Sequence, residues 1–279
     1  MELNIDFLKQ IACNVYDAVN PLLGTKKAAV KSERGAGGDV TMYLDTVAEN
    51  AIIETLEEDN VDILLISEEI GEKYIGDEEE AKRSQRKLII DPLDGSNNAV
   101  RGVPYCSVSI AYAVGTCIND IITGVVLNLN TKDIYWAEKG KGAFLNGLKI
   151  KVSDLDLSQQ CFFELNLPMR NLTENFRKLS PIMRRFYKMR ILGSSALTLC
   201  QVASGSMEAF INLRESNRLV DVAAGMLILK EAGGRFFSID GTSSLSDYEL
   251  SIDVKFPFIA SNLKLEAFLK KNLRNLGIV

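Results

Sequence analysis

The chain contains no histidine. That absence removes Ser-His-Asp and Cys-His nucleophile activation, HExxH zinc sites and phosphohistidine intermediates. In a hydrolase, proton transfer would then fall to carboxylates, hydroxyls or metal-bound water. Cysteine is sparse and odd in number: Cys13, Cys106, Cys117, Cys161 and Cys200, with no C-x-x-C pair. Free thiols in a reducing cytoplasm are therefore expected, and a disulfide framework is not. No apolar run approaches the ~18 residues of a membrane span. The acidic, amphipathic start MELNIDFLKQ is unlike a signal peptide. Cations are outnumbered, with a net charge of −5 and a pI of about 5.1. That balance disfavours a broad nucleic-acid surface while leaving room for a local basic pocket.

The composition that remains suits a folded protein with a substantial core. There are 279 residues, 47% of them hydrophobic and 25% charged, enough for one large domain or two smaller ones. Periodicity predicts helices over residues 4–20, stopped by Pro21, and over 44–56, with Asp45 at or near the start. A strand is expected at 61–66, ended by Ser67-Glu68-Glu69. Residues 31–39 are polar and glycine-rich and are expected as a mobile surface loop. The charged run 71–87 is expected as an exposed loop or insertion. Strands follow at 107–114, 121–128, 134–138 and, after the Asn146-Gly147 turn, 149–152.

The polar stretch 153–160 is the expected boundary, dividing an α+β half (1–152) from an α/β half (153–279). The second half alternates. Strands are expected at 161–165, 189–192, 207–213, 235–239 and 257–260. Helices are expected at 175–186 (interrupted by Pro181), 194–204, 219–232 and 263–273. This alternation predicts layered α/β packing with a cleft between the halves.

One stretch carries the chemistry, Leu88–Arg101, LIIDPLDGSNNAVR. A short apolar run leads into Asp91, with Pro92 expected to stop the strand. Asp94 follows three residues later, and Gly95-Ser96-Asn97-Asn98 reads as a turn entering a helix. Carboxylates are hard ligands suited to Mg²⁺, and the free N–H groups of a helix start suit a phosphate. Alone, D-P-x-D-G-S is an ordinary turn sequence. Asp221 adds weight, because a carboxylate inside the apolar run Leu219–Gly225 needs a partner.

The chain resembles the inositol monophosphatase family, and within it the archaeal-type enzymes that hydrolyse inositol phosphates and fructose 1,6-bisphosphate. Four blocks carry the resemblance. They are Gly38-Asp39-Val40-Thr41 with Asp45; Ser67-Glu68-Glu69; Asp91-Pro92-Leu93-Asp94-Gly95-Ser96-Asn97-Asn98; and Val220-Asp221-Val222-Ala223-Ala224-Gly225 followed by Glu231-Ala232-Gly233-Gly234. Their order and spacing fit the family over essentially the whole chain, and imply its layered αβαβα sugar-phosphatase fold.

The resemblance also implies roles. Glu68, Asp91 and the Leu93 carbonyl would hold one Mg²⁺; Asp91, Asp94 and Asp221 a second; and Glu68 would help hold a third. Asp94, Gly95 and Ser96 would meet the phosphate, while Asp45 and Ser96 orient the attacking water. Glu69 and Thr41 would support the ligands from behind, and residues 31–39 would form a catalytic loop. Gly193, Ser194, Ser195, Arg190 and Arg214 would line the substrate end, the two arginines receiving a second phosphate.

Three positions depart from the family pattern. Ser96 stands where Thr is frequent, Val220 where Trp is frequent, and Asn212 where an acid often touches substrate hydroxyls. The implied protein is a cytoplasmic homodimer or homotetramer acting on a small sugar or inositol phosphate, without nucleic acid or membrane. Two other readings remain open: a 3′-phosphoadenosine 5′-phosphate nucleotidase of the same superfamily, and a non-catalytic binding protein on this fold.

Overall fold

The structure, a computed structural model, describes residues 3–34, 36, 40–239 and 245–274. Its first half comprises α1 (Ile5–Val19), β1 (Lys31–Arg34), β2 (Val40–Met42), α2 (Tyr43–Glu58), β3 (Ile63–Ser67), β4 (Gly71–Ile75), α3 (Glu78–Ser84), β5 (Arg86–Asp94), α4 (Ser96–Arg101), β6 (Ser107–Val114), β7 (Ile121–Asn128), β8 (Ile134–Glu138), β9 (Gly142–Leu145) and β10 (Leu148–Ile150). The second comprises β11 (Phe162–Asn166), α5 (Leu172–Met183), β12 (Lys188–Arg190), α6 (Ser195–Ala203), β13 (Ala209–Asn212), α7 (Leu219–Glu231), β14 (Arg235–Ser238), β15 (Phe258–Ser261) and α8 (Leu263–Arg274).

An eight-stranded sheet runs β10-β9-β8-β7-β6-β5-β3-β4, antiparallel except where β3 and β5 pair in parallel. A five-stranded sheet runs β12-β11-β13-β15-β14, parallel across its first three strands and antiparallel beyond. Period-two alternation sends successive side chains to opposite faces. On β6, Val108, Ile110 and Tyr112 join α1 and α2, whereas Ala111 and Ala113 face α6 and α7. On β13, Phe210 faces inward to α6 and α7, whereas Ala209 and Ile211 meet α5 and α8. The result is five layers, αβαβα. The apolar cluster between the sheets draws residues from both sides of the 153–160 stretch, such as Ile89 and Phe258.

Helix α7 occupies the middle of this stack. From Val222 to Leu229 every residue is buried, each large aliphatic side chain contributing about 1.5–3 kcal/mol. It lies close against β7. A Cβ on Gly124 would come within 2.9 Å of the Ala224 carbonyl oxygen and 3.1 Å of its Cα.

Three sequence expectations need correction. Residues 71–87 are not a loop: β4 pairs antiparallel with β3, and α3 follows. Residues 72–74 of β4 are only partly buried or exposed at the sheet edge, so no hydrophobic alternation marks the strand. Helix α3 stands on Asp77, which accepts from the Glu80 N–H at 2.9 Å, and on a Lys82–Glu78 pair at 2.7 Å, with acids in its first turn and bases in its last. Pro92 does not end its strand either. β5 continues to Asp94, absorbing the proline where the register against β6 shifts between Asp91 and Asp94. Pro181 lies inside α5, two residues from its end, rather than breaking it.

The α7–β7 contact generates a prediction. Gly124→Ala should destabilise the protein by about 1–3 kcal/mol, because backbone atoms of α7 cannot step aside as a side chain would. Urea denaturation of the variant beside wild type measures this. An unchanged midpoint would mean that the helix has room to shift.

Candidate active site

The parallel register of β3 and β5 sets Ser67 opposite Ile90. Continuing one residue along both strands brings Glu68 beside Asp91. Asp221 arrives from the first turn of α7, where it accepts from the Arg218 backbone N–H at 3.2 Å. Glu68, Asp91 and Asp221 each offer a carboxylate oxygen, and these oxygens lie within 4.8 Å of one another. Any such pair at about 4 Å repels by roughly 1–4 kcal/mol between the dielectric of water and that of a protein surface.

Part of that repulsion is offset by Arg218, a residue that sequence reading missed. Its Nη2 lies 2.7 Å from Glu68 Oε1, and its Nε 3.7 Å from Asp221 Oδ1. The only sequence signal is position, three residues before Asp221 and next to a buried helix. One guanidinium against three carboxylates leaves a clear negative excess, and the donor set is all oxygen. Asp45 adds a buried Oδ1 with no hydrogen-bond partner among the described residues. These residues fit a hard divalent ion carrying water, as Mg²⁺ does.

Asp94 stands apart from that trio. Its Oδ2 accepts from Ser194 Oγ at 2.6 Å and the Ala196 N–H at 2.7 Å, and its Oδ1 from the Ser195 N–H at 3.2 Å. It thus caps the start of α6. Ser194 is buried and is itself the N-cap of α6, accepting from the Leu197 N–H, so its hydroxyl is occupied within the protein. The neighbouring segment rests on another residue not foreseen. Glu164, on β11, accepts from the N–H groups of Leu192 and Gly193 and from Thr198 Oγ1. Gly95 (φ 92°) and Gly193 (φ 89°) meet tightly: a Cβ on Gly95 would lie 3.2 Å from the Gly193 carbonyl oxygen.

Behind the trio, Asp45 accepts from the Met42 N–H at 2.7 Å, and Ser96 Oγ donates to the Leu93 carbonyl at 2.9 Å. Thr41 donates to the Glu69 carboxylate. Glu49 is a further buried acid beneath the turn, accepting from Ser67 Oγ and the Ile70 N–H. Residues 31–39 are not simply a loop, since β1 pairs antiparallel with β2 and the Ala36 N–H donates to the Glu69 carbonyl at 2.7 Å. Gly35, Gly37, Gly38 and Asp39 lie outside the described residues.

A cleft of about 390 Å³ collects Asp45, Glu68, Glu69, Asp91, Leu93, Asp94, Gly95, Ser96, Gly193, Ser195, Arg214, Arg218 and Asp221. Asn97 and Asn166 also line it. Arg190 does not. Its guanidinium sits 5.0 Å from the centre of the Phe162 ring and donates to the Met189 carbonyl, held there by a cation–π contact. Asn212 is fully buried, donating to Asn217 Oδ1 and accepting from the Arg214 N–H, so it shapes the turn that carries Arg214.

Burial is the main cause pushing these acids upward. Glu68 rises to about 8, with Asp221 adding to the rise and Arg218 opposing it. Glu69 rises to about 7, relieved in part by Thr41. Asp94 also reaches about 7, relieved in part by Ser194. Acids with raised values bind more protons folded than unfolded, so stability is lost as pH climbs through the raised values. In EDTA the protein should therefore lose about 1–3 kcal/mol between pH 5 and pH 8, less than the separate shifts imply because these groups share one another's repulsion. Mg²⁺ should restore more stability at pH 8 than at pH 5. Thermal melts at both pH values, with and without Mg²⁺, measure this; a flat or rising profile in EDTA would contradict it.

Residues 3–275 match the model of the inositol monophosphatase family. A fructose-1,6-bisphosphatase/inositol-1-monophosphatase of Methanothermobacter thermautotrophicus is 41% identical over 231 residues, covering 81% of this chain and 80% of that one. A bifunctional NADP phosphatase/NAD kinase of Methanococcus maripaludis is 35% identical over 273 residues, 92% of this chain but only 47% of that longer protein. Among solved structures, the MJ0109 gene product, an inositol monophosphatase–fructose 1,6-bisphosphatase, superposes with a TM-score of 0.83 at 27% identity, covering 97% of this chain and 100% of that one. Fold, acidic cleft and relatives agree, and the chain belongs to the inositol monophosphatase family.

Proposed function

We propose that the protein is a Mg²⁺-dependent phosphomonoesterase that removes the 1-phosphate of fructose 1,6-bisphosphate and also accepts inositol 1-phosphate. The observation that carries this reading is the meeting of Glu68, Asp91 and Asp221 within 4.8 Å, in one cleft with Asp45 and Ser96. Glu68, Asp91, the Leu93 carbonyl and Asp221 would hold the ions, two or three in number. Asp94 would complete the set through whatever capacity its bonds to α6 leave. Held there, Mg²⁺ would supply acidification of a bound water and neutralisation of charge on the phosphoryl oxygens.

The chain's own groups do the rest. Asp45, anchored through Oδ2, leaves Oδ1 for a hydrogen bond from the attacking water. Ser96 helps to orient that water. Gly95 and Ser96 open α4 and offer N–H groups to the phosphate. Arg214, exposed at the cleft rim, meets a second phosphate as a forked donor. The substrate class points to gluconeogenic carbohydrate metabolism. Five free cysteines suit a reducing compartment, and a cytoplasmic location is part of this reading. A homodimer or homotetramer is part of the same reading.

Phosphate release over a panel of fructose 1,6-bisphosphate, inositol 1-phosphate, 3′-phosphoadenosine 5′-phosphate and NADP tests the substrate. Turnover confined to the nucleotides, or absent on all four with Mg²⁺ present, would refute the proposal. Asp91→Asn and Asp221→Asn keep side-chain volume while removing ligand charge. Each should lower kcat/KM by about a hundredfold or more, beyond what loss of a mere supporting contact costs. Arg214→Ala should raise KM for the bisphosphate roughly two- to fivefold, the worth of a solvent-exposed ion pair, and leave inositol 1-phosphate nearly untouched. Equal losses on the two substrates would remove Arg214 from the second-phosphate role.

A further inference from the structure

We infer that Arg218 is an internal counter-ion that competes with the divalent cation for Glu68 and Asp221, and so sets how tightly the site holds metal. The inference rests on the metal reading of the cleft. Its basis is geometric. Arg218 is the N-cap residue of α7, and its backbone, at φ −89° and ψ 153°, is extended. From there the side chain turns back along the first turn of the helix, Nη2 reaching Glu68 Oε1 at 2.7 Å and Nε lying 3.7 Å from Asp221 Oδ1. It therefore touches two of the three carboxylates that converge. All three partners are largely out of water, with 10% of the Arg218 side chain and 16% of each acid exposed, so solvent screens the contacts only weakly.

A guanidinium and a metal ion make incompatible demands on Glu68. Mg²⁺ needs its ligand oxygen at about 2.0–2.1 Å, and the Arg218 nitrogen already sits at hydrogen-bond distance from Oε1. Two cations sharing one carboxylate oxygen repel each other at close range. Arginine cannot relieve this by losing its proton, so an ion at Oε1 must push it into the cleft that it lines, and an ion at Oε2 must bind against a guanidinium still in place. In either case part of the binding energy of the ion is spent against Arg218. The benefit falls to the metal-free protein, where Arg218 offsets carboxylate repulsion that would otherwise strain the fold.

The alternative is that Arg218 braces the ligands in place for the ion. The two roles predict opposite changes in affinity. Calorimetric titration of Mg²⁺ into EDTA-stripped, dialysed wild type, Arg218→Gln and Arg218→Lys separates them, with thermal melts in EDTA and in saturating Mg²⁺ on the same samples. Competition predicts that Arg218→Gln binds Mg²⁺ at least about fivefold tighter. It also predicts a lower melting temperature than wild type in EDTA and a smaller deficit in Mg²⁺. Arg218→Lys, keeping the charge on a shorter reach, should fall between the two. Affinity unchanged or weakened in Arg218→Gln would overturn the inference, as would equal losses of melting temperature with and without metal. Should Arg218→Gln fail to fold in EDTA, Arg218→Lys decides: tighter binding than wild type supports competition, and equal or weaker binding overturns it. A wild-type chain that binds no Mg²⁺ at all would instead overturn the metal reading itself, and this inference with it.

Discussion

Like charges held close together are the constraint on which the rest of this structure depends. Glu68, Asp91 and Asp221 would move apart if each were free, and each is prevented by a different part of the core. Glu68 and Asp91 are fixed by the paired register of β3 and β5, inside a sheet whose two faces are both covered. Asp221 is fixed because α7 has no solvent face from Val222 to Leu229 and cannot rotate without exposing apolar surface. Hydrophobic burial spread over many residues thus offsets an electrostatic penalty concentrated in three, as buried like charge requires.

Close approach serves the same end. Gly124 lets α7 lie against β7, and Gly225 lets α6 pack on α7, since a Cβ there would fall 2.9 Å from Leu199 Cβ. A bulkier residue at either point would displace the whole helix, carrying Asp221 and Arg218 with it. The precision of the cleft is set by small residues that touch neither metal nor substrate.

Much of this was legible in the sequence, and the failures share a cause. Elements that bury a stripe or a whole apolar run announced themselves: α1 and α8 by helical period, β6, β7 and α7 by near-continuous apolar sequence, all within a residue or two of expectation. β4 and α3 did not, because a sheet-edge strand and a surface helix bury too little to leave a pattern, although the acid-first, base-last order of Glu78–Arg83 could have signalled the helix. In the site, Asp91 was recognisable because it ends an apolar run, Asp221 because it interrupts one, and Asp94 because it sits on the turn just beyond Asp91. Arg218, Glu164 and Glu49 were not, since a single buried charge has meaning only through partners distant in the chain. Arg190 was misplaced for the converse reason. Strand position gave its neighbourhood but not its direction, and Phe162 decided that.

The bonds from Asp94 to Ser194, Ser195 and Ala196 have a mechanical meaning. Asp94 ends β5 of the eight-stranded sheet, and the residues it grips begin α6, which packs between the two sheets. The carboxylate is thus a bolt through the back of the cleft, and a jaw-like hinge between the two sheets would have to shear it. At the front, the β1–β2 hairpin meets Glu69 twice, Ala36 donating to its carbonyl and Thr41 to its side chain. At the back, through Asp94, a shift of the β5 end would be passed directly to the start of α6, with no ligand needed between them.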